Sequence, residues 1–176
     1  MPAASMAPVR VRLLGAEDAE AFQVLRLRAL LECPTAFASS HAEEAGTPVG
    51  VVASRLAATA SAAIFGAFAG DALVGVAGLQ REAMTKLAHK ACLWGVYVAP
   101  AARRRGLAQR LVQAALEHGR TNWIGLRQVF LGVNVANEGA LALYRGLGFE
   151  VYGTERGFLL HDGMLHDEHH MVRVLA

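Results

Sequence analysis

Apolar and polar residues change period several times along the chain, and each change marks an element boundary. Val9 to Leu14 alternates apolar with basic residues, the pattern of an edge strand. A helical stretch follows from about Glu17 to Glu32, with Phe22, Leu25, Leu27, Leu30 and Leu31 supplying apolar weight, and Pro34 stops it. Cys33 to Gly50 is rich in Pro, Thr, Ser and Gly and carries the acidic pair Glu43 and Glu44, so it reads as a loop with at most a short helical turn. A helix is expected from about Val51 to Ala60. Two β-prone runs, Ala62 to Ala69 and Ala72 to Gln80, are separated by Gly70-Asp71, a tight hairpin signal. Leu93 to Val98 is the most strand-like segment, and Gly95 inside it signals a bulge or a close backbone approach. A helix from about Arg104 to His118 presents Leu107, Leu111, Ala114, Ala115 and His118 on one face. Gln128 to Val133 is a further strand. Asn137 to Leu147 is a helix with Asn137 as N-cap and Gly148 as its left-handed terminator. Strands over Phe149 to about Gly157 and Leu165 to Leu175 close the chain. The order β, α, α, β, β, β, α, β, α, β, β contains no linker long enough to divide it. The fold class is α/β, one domain over residues 1–176 with a mixed sheet flanked by helices.

Composition narrows the function classes. At 176 residues, with 54% hydrophobic and 18% charged residues, the chain can bury roughly 70% of its unfolded surface and needs no staple to fold. The hydrophobic content is too high and the net charge of +2 too low for disorder. Arginine outnumbers lysine fifteen to two, but 15 acidic residues almost cancel the total. With no basic stripe interleaved with aromatics, no nucleic-acid partner is expected. Cys33 and Cys92 lie 59 residues apart without a CxxC or a Cys/His zinc spacing, and read as reduced thiols of a cytoplasmic protein. Met1 to Pro8 lacks the basic and apolar regions of a signal peptide. The longest uncharged run, Leu56 to Gly70, has 15 residues and is too short and too weakly apolar to span a bilayer, so no membrane partner is expected.

The arginines do cluster in one place. Arg103-Arg104-Arg105-Gly106-Leu107-Ala108 joins a strand and Pro100 to the start of a helix. Free amide N–H groups and the helix dipole make that corner an anion site, and Gly106 with Ala108 allows a phosphate close to the backbone. Guanidinium groups add charge and fork-shaped donors. The glycines fit neither GxGxxG nor GxxxxGK[ST], which disfavours a Rossmann site and a P-loop.

These residues also carry a resemblance. Arg103-x-x-Gly106-x-Ala108 resembles the acyl-CoA signature of the GNAT superfamily of N-acetyltransferases, and Val133-x-x-x-Asn137-x-x-Ala140-x-x-Leu143-Tyr144-x-x-x-Gly148-Phe149 resembles the second conserved stretch of that superfamily. Both occur in order, over about Leu93 to Phe149. The resemblance implies a mixed, mostly antiparallel sheet whose central strands, about 93–98 and 128–133, splay apart. It places the pantetheine arm of acetyl-CoA in the gap, against Val96, Tyr97 and Val98, with the pyrophosphate on Arg103, Arg104, Arg105, Gly106, Leu107 and Ala108. Asn137 and Ala140 match positions beside the cofactor arm, and Tyr144 matches the general acid for the coenzyme A thiolate. The implied activity is transfer of an acetyl group from acetyl-CoA to a primary amine of a small molecule or peptide, by direct attack in a ternary complex, without a metal. A catalytically silent acyl-CoA-binding or regulatory domain of the same fold is the alternative, and a phosphate-binding module unrelated to coenzyme A is a third. Relatives also imply a homodimer through the C-terminal strand as one arrangement.

The chemistry sets requirements on the residues. An attacking amine must be neutral: about one lysine-like amine in 10³ is neutral at pH 7, against about one α-amino group in six. A base or water chain matters far more for the first class. A backbone N–H of the splayed strand, that of Val98, would meet the developing oxyanion. A free thiol near ~8.5 and a tyrosine near ~10 differ by a small mismatch, so Tyr144 can protonate the departing sulfur. Relatives often place a glutamate base near Cys92, a role a small apolar thiol between Ala91 and Leu93 does not fill. The candidates are then Glu43, Glu44, His89, Asp167, Glu168 or water. The signature commonly has Gly where Arg104 stands, so that side chain either narrows the site or contacts a phosphate. Trp94 and Tyr97 read mainly as core or sheet-face residues. His166, Glu168 and His170 would share a strand face, a metal-like arrangement that a substrate-lining strand explains better. The segments 33–61, 81–91 and 156–168 are expected to wall the acceptor site, and their acidic residues would suit a cationic acceptor or merely solvate the surface.

Overall fold

The computed structural model describes residues 8–175; the signal-peptide reading over Met1 to Pro8 lies, except for Pro8, outside them. Seven strands form one sheet: β1 (Val9–Leu13), β2 (Ala62–Ala69), β3 (Ala72–Arg81), β4 (Lys90–Val98), β5 (Gln128–Asn134), β6 (Glu150–His161) and β7 (Met164–Val174), in the order β1-β2-β3-β4-β5-β7-β6. Every neighbouring pair is antiparallel except β4 and β5, which run parallel. That ladder has three pairs, Lys90 with Gln128, Ala91 with Val129 and Cys92 with Phe130. Beyond them the two strands diverge, as the resemblance implied.

Helices cover both faces, for reasons visible in their apolar stripes. On one face α4 (Leu107–Asn122) and α5 (Glu138–Gly146) bury Leu107, Leu111, Ala115, Leu141 and Tyr144 against Leu79, Leu93, Val129, Leu131 and Met171. On the other, α1 (Ala19–Glu32) and α3 (Val49–Leu56), with the single turn α2 (His41–Glu44) between them, pack Leu25, Ala29, Val52 and Leu56 on Ile64, Phe68, Val76 and Tyr97. Among the described residues no helix is long and apolar enough to cross a membrane.

Most departures from the expected boundaries have local causes. The helix expected from Arg104 starts at Leu107, because Arg104 and Gly106 both adopt left-handed backbone, φ 62° and 68°, which a helix cannot contain. It also continues to Asn122 rather than His118. The helix expected to Ala60 ends at Leu56, where the Thr59 hydroxyl instead accepts from the amides of Ser61 and Ala62 and starts β2. The strand expected to stop near Gly157 runs to His161, because Asp162 and Gly163, φ 49° and 74°, make a two-residue hairpin turn into β7. The expected strand at Leu93 begins three residues earlier, at Lys90.

Asp18, the buried charged residue of the core, ties β1 to the first helix. Its carboxylate accepts from both Arg12 guanidinium nitrogens at 2.7 and 2.8 Å and from the Gly15 amide at 2.9 Å. The hydrogen bonds from Arg12 hold Asp18 below the usual carboxylate range, against the opposing effect of burial. A depressed carboxylate contributes stability that is complete above its unfolded-state value and lost as pH falls through the folded one. Asp18→Asn should therefore cost about 2 kcal/mol at pH 7 and progressively less in acid below about pH 4. Thermal melts of both proteins between pH 3 and pH 7 check this; a pH-independent difference would refute it.

Candidate active site

The diverging strands open a gap whose walls are set by backbone, not side chains. Between the pairs Val76–Tyr97 and Gly78–Trp94, one residue of β3 faces two of β4. That bulge contains Gly95 at φ +63°, the feature its glycine signalled. The bulge turns β4 away from β5, and a cavity of about 670 Å³ fills the space between β4, the Arg103–Ala108 loop, α4 and α5. Eleven of the twelve expected site residues line it: Val96, Tyr97, Val98, Arg103, Arg104, Gly106, Leu107, Ala108, Asn137, Ala140 and Tyr144. Arg105 lies outside the lining.

The loop end of this cavity suits an anion. The first intrahelical bond of α4 runs from the Arg110 amide to the Gly106 carbonyl at 3.1 Å, so the amides of Leu107, Ala108 and Gln109 have no partner within the helix. No acidic residue stands in the first turn to neutralise them. At Gly106 an added Cβ would meet nothing within 4 Å, leaving an open cradle over the helix start. A phosphate-sized anion suits that cradle, and the walls beyond it are largely apolar.

The arginines divide their work. Arg103 turns back: its Nε donates to the Val98 carbonyl at 2.8 Å, its guanidinium lies 5.7 Å from the Tyr97 ring centroid and 3.6 Å from Glu32. Tyr97 donates to Glu32 as well, and burial followed by that carboxylate pushes its phenol up to about 12. Its ring belongs to the α1 side of the core, so only the backbone of Tyr97 is left to face a cofactor. Arg104 is exposed at the cavity rim.

On α5, Asn137 caps the helix by accepting from the Ala140 amide at 3.1 Å. Tyr144 is buried and packs edge-on against Phe149, 5.8 Å between centroids. Burial holds its phenol well above the ordinary tyrosine range, a wider separation from a free thiol than composition-based values give. Cys92 behaves as the apolar thiol expected: burial pushes it up to about 11.

Two further cavities meet the first. A narrow one of about 70 Å³ occupies the splay itself, between Trp94, Gly95 and Val96 on β4, Gly132 and Asn134 on β5, and Tyr144. A larger one of about 630 Å³ lies between the end of α1, residues 34–42 and β6. Phe37 lines all three, and sequence reasoning missed it. An aromatic in an otherwise small and polar loop was the available signal. The Asn134 side chain fixes that loop by donating to the Thr35 carbonyl at 3.2 Å.

The base candidates separate clearly. Glu43 caps α2, accepting from the Ser40 amide and hydroxyl at 2.7 and 2.8 Å. Glu44 is held by Arg26 at 2.8 and 3.0 Å. His89 sits at the opposite end of β4, where its carbonyl accepts from Arg127 and Gln128. Asp167 accepts from the Gly157 amide at 2.8 Å. Glu168 lies against Gly132 of β5. His166, Glu168 and His170 do not gather into a metal site; among the described residues no three His, Cys, Asp or Glu side chains do.

The model of the Acetyltransferase (GNAT) family matches residues 52–149. L-amino acid N-acetyltransferase AaaT of Escherichia coli K12 is 32% identical over 81 residues, 46% of this chain and 49% of that protein. N-alpha-acetyltransferase RimI of Mycobacterium tuberculosis is 36% identical over 93 residues, 53% of this chain and 55% of the relative. The chain thus spans about half the length of the curated relatives it matches. A solved structure of yncA, a putative acetyltransferase of Salmonella typhimurium with its cofactor acetyl-CoA, superposes with a TM-score of 0.80 at 17% identity, over 97% of this chain and 95% of that one, which shows the shared fold.

Proposed function

Because the chain belongs to the Acetyltransferase (GNAT) family, whose co-substrate is acetyl-CoA, we propose that it transfers the acetyl group to a primary amine carried on an apolar small molecule or peptide end. The single observation carrying this reading is the meeting of two grooves at Phe37. One has the anion cradle and leads past β4 to Tyr144; the other is a separate entrance of similar size from the α1 side. Acetyl-CoA supplies an activated acyl group as a thioester. The helix amides of Leu107 to Gln109 hold its phosphates, the β4 backbone aligns the arm, and Tyr144 donates to the departing sulfur.

The second groove supports an apolar acceptor over a cationic one. Its apolar walls are Leu30, Leu31, Pro34, Phe37, Phe158 and Leu160; Ser39, Ser40, His41 and His161 are its polar residues, and no acidic side chain is among them. Of the acids adjacent in sequence to these walls, Glu32 is held by Arg28 and Tyr97, Glu43 by the Ser40 cap, and Asp162 lies in the β6–β7 turn 3.4 Å from His161. The curated relatives are named for an amino-acid and an N-alpha acceptor, which is compatible with an α-amino group leading an apolar body.

Release of free coenzyme A across an amine panel tests the proposal. The kcat/KM for α-amines with leucine- or phenylalanine-sized side chains should exceed that for polyamines and lysine side chains by about tenfold or more, a typical worth of one or two well-buried methylene groups. Preference for polyamines would overturn the acceptor class. Tight acetyl-CoA binding without turnover on any amine would favour the silent acyl-CoA-binding domain instead.

A further inference from the structure

Where related enzymes often carry a strand glutamate, this chain has Cys92, yet a carboxylate from the other side lies against Gly132, a residue that lines the splayed gap. Asn134 on β5 pairs with Glu168 on β7, and Gly132 pairs with His170. Side chains opposite one another in such a ladder share a face, so Glu168 stands on the sheet face that carries Cys92 and Phe130, whose own pairing places them there. It leans along β7 onto Gly132, one of the residues lining the gap. A Cβ at residue 132 would lie 1.9 Å from Glu168 Oε1, so the carboxylate occupies space that glycine alone provides.

We propose that Glu168 is the catalytic base, taking the proton of the attacking amine at the Gly132 end of the gap. This rests on the acetyltransferase reading above. The balance is simple: the nitrogen–acyl bond forms as the carbon–sulfur bond breaks, the amine proton goes to Glu168, and the sulfur receives one from Tyr144. Solvent then carries one proton from the Glu168 carboxyl to the Tyr144 phenolate, restoring both.

The surroundings suit that task. His170 stands between two carboxylates, with Nδ1 3.8 Å from Glu168 and Nε2 3.2 Å from Glu155 of β6. Cys92 faces Glu168 from β4 and is neutral. Burial raises the Glu168 carboxyl above the ordinary range, a protonated His170 lowers it, and Glu155 raises it, with burial the largest influence. A carboxylate so raised is a stronger base at neutral pH than a solvated one. None of the other candidate carboxylates and imidazoles is shown against a residue that lines the gap while free of a hydrogen bond that holds a cap, turn or ion pair.

The decisive experiment is Glu168→Gln with the full chain, acetyl-CoA and the best amine of the panel. At pH 7 kcat/KM should fall about fivefold or more with an α-amine and about 100-fold or more with a lysine-like amine, and each gap to wild type should narrow as pH rises towards that amine's own pKa. Acetyl-CoA affinity should stay within about twofold. Gly132→Ala, which displaces the carboxylate, should reproduce the pH-dependent loss, and combining both changes should add little further. A reading free of turnover comes from melting the ligand-free protein. A carboxyl raised by folding makes wild type lose stability as pH rises from its unfolded value through its folded one, so Glu168→Gln should gain on wild type as pH rises above about 4. Activity of Glu168→Gln within threefold of wild type, or a loss that does not change with pH, overturns the assignment. Wild-type protein that binds acetyl-CoA but releases no coenzyme A with any amine overturns the acetyltransferase reading and the base with it.

Discussion

Tyr144→Phe should lower kcat about 100-fold or more while leaving acetyl-CoA affinity within about twofold. The ring is what packs: Tyr144 is buried and meets Phe149 edge-on, contacts that phenylalanine keeps. The hydroxyl is the only atom removed, and it belongs to a residue shared by the cofactor cavity and the splay. Because burial holds the phenol protonated well past neutrality, Tyr144 is present as a donor across the working pH range. An alkaline fall in rate below about pH 10 would thus have another origin. The desolvation that raises the phenol also raises a thiolate formed beside it, which restores part of the match between donor and acceptor. Turnover in Tyr144→Phe within threefold of wild type would remove the residue from the acid role. Calorimetric titration with acetyl-CoA separates that outcome from a binding defect.

The second large effect is expected at Gly106. Gly106→Val should weaken acetyl-CoA binding by about 30-fold or more and lower the melting temperature by several degrees. A β-branched residue at φ +68° carries strain of order 1–3 kcal/mol. Under the proposed function the free space above the Gly106 α-carbon is where a phosphate would meet the amides of Leu107, Ala108 and Gln109. A stability loss alone would leave the affinity of the folded protein unchanged, so the affinity measured well below the melting temperature is the decisive number. Unaltered affinity there would place the pyrophosphate elsewhere.

Sequence reasoning succeeded where one residue had one physical use. Gly95 within a strand run announced the bulge, Asn137 the cap, and Gly148 the left-handed helix end. It was less successful where a residue had several uses. Arg103 looks like a phosphate ligand from its neighbours in sequence, but the Val98 carbonyl and Glu32 claim its guanidinium. Glu43 and Glu44 look like acceptor-site acids until a helix cap and Arg26 are found to hold them. Phe37 and Gly132 gain their importance from elements far away in the chain, β6 and β7 respectively, which no local pattern reports. The turn at Asp162-Gly163 was readable as a hairpin signal and was passed over beside the histidine-rich segment.

The three-pair parallel ladder between β4 and β5 has a mechanical meaning as well. It is the one hydrogen-bonded seam joining the half-sheet β1–β4 to the half-sheet β5–β7. Side chains of the core cluster under α4 and α5, drawn from both half-sheets, share the load between the halves with the ladder. Amide-proton exchange in the free chain should be fastest along the open flanks of the seam. A ligand arm lying there and bonding to backbone would act as a temporary strand, slowing exchange on both halves at once and stiffening a sheet that is otherwise nearly cut in two.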